Sequence, residues 1–145
     1  MSKDSFSRIA KIARSSEVKA AAEYRRYSDT LASTEMQLAQ LNEFKTEYQA
    51  RLEALIASGA DTRQLLQYQR FLDGISSAHR QQGDVVRQAG DNARRSQEKL
   101  RRSSARRASL DALVDRAQSQ DARQLATREQ RLSDESYSHY SGDDQ

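Results

Sequence analysis

The chain has 145 residues, of which 36% are apolar, 6% aromatic and 31% charged, and its formal net charge is +3. That is too little apolar surface for a broad globular core, whereas two packed helices need only a narrow stripe. The absence of cysteine excludes a disulfide framework and any thiolate zinc site. The absence of proline leaves no obligatory helix breaker anywhere in the chain.

The first predicted element begins near Asp4 or Ser5 as N-cap and runs over about 5–56. Stepping alternately by four and three residues from Phe6 meets Ala10, Ala13, Glu17, Ala20, Tyr24, Tyr27 and Leu31, and then Thr34, Leu38, Leu41, Lys45, Tyr48, Leu52 and Leu55. This is the seven-residue repeat of a coiled-coil seam, interrupted by Glu17, Thr34 and Lys45, polar positions of the kind that fix register at a cost in stability. The break Ser58-Gly59-Ala60-Asp61 then predicts a turn over 57–61.

Asp61, three residues ahead of Gln64 and just before Leu65-Leu66, resembles a capping box and opens a second helix over about 62–133. Its stripe runs through Leu65, Tyr68, Leu72, Ile75, His79, Gln82, Val86, Ala89, Ala93, Ser96 and Leu100, and continues to Ser103, Arg107, Leu110, Val114 and Ala117. Gly74, Gly83 and Gly90 each weaken the interior of this helix by about 1 kcal/mol relative to alanine, so its middle is expected to depend on the facing helix. Residues past Val114 have no counterpart in the first helix. They predict a C-terminal overhang with Leu125 and Leu132 and a disordered tail over about 136–145. The fold class is therefore all-α, a two-helix antiparallel coiled-coil hairpin forming a single domain.

Centring the turn near Ala60 sets residues whose numbers sum to about 120 against each other. This register brings Glu17 to Ser103 and Arg107. It also juxtaposes two basic segments, residues 1–27 with net +4 and residues 94–107 with net +6, while 28–93 carry net −3 and 108–145 net −4. A basic segment suggests phosphates, but Arg94, Arg95, Arg101 and Arg102 fall on outward positions with no aromatic side chains between them for base stacking. An acidic protein surface fits this charge better than nucleic acid does.

Catalytic chemistry has no support. The glycines are scattered singly rather than gathered in a phosphate loop, and His79 and His139 lie far apart. Glu43 and Glu47 share a helix face without a histidine or a further carboxylate to complete a metal site. No metal or other cofactor is expected, and the chain is not expected to be an enzyme. The N-terminal residues lack the apolar run of a signal peptide and no segment has the roughly 20 apolar residues of a membrane span, so a cytoplasmic protein is expected.

Phe44 and Phe71 stand one residue before the seam positions 45 and 72, on the same side of an antiparallel pair. With Leu41, Tyr48, Ile75 and Ala78 they widen the stripe into an apolar ledge near the turn, a feature that on a thin structure marks a partner surface. The stretch Phe44-Lys-Thr-Glu-Tyr48, the glycine at 59 and Leu66-Gln-Tyr68-Gln-Arg-Phe71-Leu72 resemble the central signature of the flagellar export protein FliJ family. Phe6, Glu17-Val-Lys-Ala-Ala21, the arginine-rich second helix and Arg128-Glu-Gln-Arg-Leu-Ser-Asp-Glu135 extend the resemblance over nearly the whole chain. The chain departs from many relatives in lacking a tryptophan near Ser96.

The resemblance implies a non-enzymatic part of the flagellar type III export apparatus, cytoplasmic and peripheral at the inner membrane. It implies a coiled-coil stalk that binds the export ATPase FliI and promotes its assembly, contacts the export gate FlhA and handles export chaperones. Matching positions give an FlhA surface of Gln37, Leu41, Phe44 and Tyr48 on the first helix and Phe71, Ile75, Ala78 and Gln82 on the second. Charge and topology, rather than matched motif residues, suggest Arg8, Lys11, Arg14, Lys19, Arg101, Arg102 and Arg106 as the surface for the ATPase. The alternatives are a secretion chaperone that binds export substrates directly and a basic coiled coil that binds nucleic acid.

Overall fold

The computed structural model describes residues 2–142, which form two α-helices, α1 over Lys3–Ala57 and α2 over Thr62–Gly142, with no strand among them. The fold is all-α, as the two stripes require. Contacts divide the chain into a terminal unit, residues 1–19 with 101–145, and a loop unit, residues 20–100.

In the loop unit, α1 ends in a Schellman motif. Ala60 N donates to the Leu55 carbonyl at 3.1 Å and Gly59 N to the Ile56 carbonyl at 3.2 Å, with Gly59 at φ 77°. Both bonds satisfy carbonyls that a helix end would otherwise leave unpaired, and only glycine adopts this φ without strain. The chain then re-enters a helix at Asp61, whose backbone carbonyl accepts from Leu65 N at 3.1 Å. Asp61 thus serves the helix start through its backbone.

Burial follows the expected seam in both units. Ala10 and Ala13 are buried in the terminal unit, and Ala20, Leu72, Ala89, Ala93 and Ser96 in the loop unit. Every other seam position named above is half-buried. Five of these seven buried residues are alanine, and Ser96 donates its hydroxyl to the Ala93 carbonyl at 2.8 Å, so it enters the seam without an unmet polar group. Around Ser96 the seam packs small residues, Ala89, Ala93 and Ser96 itself.

Several polar seam residues find partners within their own units. In the loop unit Gln82 Nε2 donates to the Thr34 carbonyl and to Gln37 Oε1, both at 3.1 Å. In the terminal unit Arg107 Nε donates to Glu17 Oε2 at 3.1 Å, the pairing expected from the register. Gly74, Gly83 and Gly90 leave α2 unbroken, because the ladder continues through them.

Both ends of the helices differ from the sequence expectation. The first helix is capped by Ser2 rather than by Asp4 or Ser5: Ser2 Oγ accepts from Ser5 N at 3.3 Å, and its carbonyl accepts from Phe6 N at 3.2 Å. The second helix does not stop near 133 but continues to Gly142, through most of the segment expected to be disordered, with residues 118–142 exposed throughout. No proline or glycine stands between Gly90 and Gly142 to end the ladder. Residues 143–145 of the expected tail lie outside the described residues.

Candidate functional site

The ledge near the turn is built by the loop unit. Tyr48, a seam residue, places its ring edge-on to Phe71, with centroids 4.6 Å apart and planes at 63°, and tilted against Tyr68 at 6.1 Å. Arg51, paired with Glu47 at 2.6 Å, lies over the Tyr48 ring at 5.0 Å from its centroid. Aromatic packing and the cation above the ring hold Tyr48 in one orientation. Phe44 and Phe71 are each about half exposed, at 53% and 50%. Beside them Tyr48, Gln67, Tyr68 and Phe71 line an open hollow of about 300 Å³.

The other residues expected on this surface occupy the same unit. Gln37 is exposed, while Leu41, Ile75, Ala78 and Gln82 are half-buried, and the bond from Gln82 to Gln37 joins the two helices there. Tyr68 and Gln67 did not figure in the expected surface although they line the hollow. Their signal is positional: Tyr68 reads as seam and Gln67 as solvent, and neither position by itself announces the hollow that they line with Tyr48 and Phe71.

The seven expected cations, Arg8, Lys11, Arg14, Lys19, Arg101, Arg102 and Arg106, all belong to the terminal unit and are exposed. Arg14 differs from the rest because its guanidinium donates to Asp111 Oδ1 at 2.9 Å. Asp111 also accepts from Arg107 at 3.5 Å, giving a chain of alternating charge from Arg14 through Asp111 and Arg107 to Glu17. The hydrogen bond from Arg14, and then its charge, hold the Asp111 carboxyl below the usual carboxylate range. The bond to Glu17, and then its charge, raise the pKa of Arg107. Among the described residues the remaining six expected cations make no ion pair.

No group of three or more His, Cys, Asp or Glu suited to a metal ion occurs among the described residues, and no helix there is long and apolar enough to cross a membrane. The family model for the flagellar FliJ protein matches residues 2–142. The chain belongs to the FliJ family. As a family member it is a component of the flagellar export apparatus, in a family whose role is non-catalytic. Searches of curated proteins and of solved structures found no match. The family match covers both the ledge and the cation-rich unit, so the two surfaces are features of one family member.

Proposed function

We propose that this FliJ-family chain is a coiled-coil stalk with two docking surfaces, one for the export gate FlhA and one for the export ATPase FliI, and that it promotes assembly of the ATPase and handles export chaperones. The observation that carries the reading is the Tyr48, Tyr68 and Phe71 cluster. Aromatic side chains pack on one another there, and Phe71 stays half exposed beside the seam. Gln37, Leu41, Phe44 and Tyr48 of α1, with Phe71, Ile75, Ala78 and Gln82 of α2, form the gate-facing surface.

The ATPase surface rests on charge. Arg8, Lys11, Lys19, Arg101, Arg102 and Arg106 are free to meet carboxylates on a ring of acidic loops, whereas Arg14 is already committed to Asp111. The exposed end of α2, with Leu125 at 59% and Leu132 at 65%, supplies apolar side chains next in line. The protein works in the cytoplasm, at the membrane only through the apparatus.

A pull-down with FliI and the cytoplasmic domain of FlhA tests this. The double variant Phe44→Ala/Phe71→Ala is expected to lose FlhA and keep FliI. Failure of the wild-type chain to bind either partner would refute the reading.

A further inference from the structure

A groove in the loop unit differs from the ledge in its charge. Two adjoining hollows form it, about 320 Å³ and about 230 Å³, and they share Tyr27 of α1 and Asn92 of α2 as walls. The larger holds Val85, 46% exposed, with Thr30 and Thr34 on the facing helix and Arg26 at its border. The smaller is lined by Glu23, Arg95 and Lys99 besides the shared pair. The groove therefore passes from an apolar end at Val85 to a basic end at Arg95 and Lys99.

Residues 20–100 as a whole carry equal numbers of basic and acidic side chains. Along the groove the balance is broken, because Arg26, Arg95 and Lys99 face a single acid, Glu23. Lys99 donates to Glu23 Oε2 at 3.0 Å, while Arg26 and Arg95, both exposed, make no ion pair among the described residues. Asp91, beside the shared Asn92, is taken by Arg94, and neither Asp29 nor Glu98 lines either hollow. Arg26 is held over the groove wall, its guanidinium lying 5.3 Å from the centroid of the Tyr27 ring. Glu23 shows what the basic end accepts: a carboxylate already rests there on one cation, and two further cations are left over.

We infer that this groove takes an acidic segment of a protein partner, with carboxylates on Arg26 and Arg95 and an apolar side chain in the hollow beside Val85. Charge complementarity selects this occupant, since a neutral or basic segment would cover two arginines with no counter-charge. A guanidinium offers a carboxylate two parallel N–H groups, which fixes orientation as well as sign. Val85 and Arg95 lie ten residues apart on α2, about 15 Å at 1.5 Å per residue, so a helical guest carries its apolar anchor and its acid about three turns apart. Nucleic acid fits less well, because its evenly spaced phosphates would meet the apolar Val85 end and the Glu23 carboxylate along with the cations. No residue lining the groove belongs to the ledge or to the seven cations of the terminal unit, so the site is additional to both docking surfaces.

The test is fluorescence anisotropy of the full chain with a labelled helical peptide that carries glutamates and, three turns away, leucine. Its lysine-for-glutamate counterpart and an oligouridine of equal charge serve as comparison probes. The glutamate peptide is expected to bind and the other two to bind more weakly. Arg26→Glu and Arg95→Glu are each expected to weaken the glutamate peptide by about fivefold or more, the size of one exposed ion pair lost, with unchanged helical circular dichroism. Glu23→Gln, which removes the competing carboxylate at nearly the same shape, is expected to tighten it about threefold. Reversing Arg101 and Arg102 of the terminal unit is expected to leave the affinity within about twofold. No binding of the glutamate peptide, equal binding of the lysine peptide or the oligouridine, or a loss that follows Arg101 and Arg102 instead of Arg26 and Arg95 would each overturn the site.

Discussion

Replacing Gly59, Gly74 and Gly83 with alanine, one at a time, separates backbone energetics from packing, because at none of the three would an added Cβ meet another atom within 4 Å. The sign of each effect is then set by conformation alone. Gly59 sits at φ 77°, where an L-residue loses about 1 kcal/mol, so Gly59→Ala should destabilise by about that amount. Gly74 and Gly83 lie inside α2 with ordinary helical backbone, so alanine there should gain about 0.8–1 kcal/mol each. At about 2–4 °C per kcal/mol for a chain of this size, Gly59→Ala should lower the thermal midpoint by about 3 °C. The pair Gly74→Ala/Gly83→Ala should raise it by about 6 °C, since sites two and a half turns apart add. Thermal melts followed by circular dichroism at 222 nm measure all of this. A neutral Gly59→Ala, or a destabilising Gly83→Ala, would show that something other than backbone conformation governs these positions.

Other expectations follow from the seam and from the ion network. Leu72, 6% exposed, is the one large side chain buried in the described seam, and Leu72→Ala should cost about 2–3 kcal/mol in urea denaturation. Ala93→Leu should cost about 1–3 kcal/mol by overpacking a position that is 7% exposed. Asp111 titrates below its unfolded value, so its stabilising contribution is complete above the ordinary carboxylate pKa and is lost as pH falls through the lowered folded one. Melts below about pH 4 should therefore show a shallower acid loss for Asp111→Asn than for wild type, and parallel curves would refute the assignment. Reversing the charge of Lys11, Lys19, Arg101 and Arg102 should reduce both the stimulation of FliI and its salt sensitivity, whereas Arg14→Ala should act mainly through stability.

What the sequence revealed and what it hid divide along physical lines. The seam was legible because burial on a helix pair leaves a seven-residue trace, and every buried residue from Ala10 to Ser96 falls on it. The pairing of Glu17 with Arg107 was legible too, since a charge on an apolar stripe has to find its complement. The extent of α2 beyond 133 was not, because an exposed helix is held by its backbone ladder and leaves no apolar period to read. The commitment of Arg14 to Asp111 stayed hidden because both stand off the seam, where charge alone names no partner.

The small residues of the seam carry a consequence for how this protein tolerates change. A globular core is most sensitive at its largest side chains, where truncation leaves a void. Here Ala10, Ala13, Ala20, Ala89 and Ala93 are each 7% exposed or less, and side chains of this size let two helices approach toward the lower end of the 8–10 Å range of axis separations. In a comprehensive substitution scan the least permissive sites should therefore be the smallest residues, accepting little beyond glycine and serine. Outside the proposed docking surfaces, drift in such a sequence is freer on the outer faces and almost frozen along a line of methyl groups.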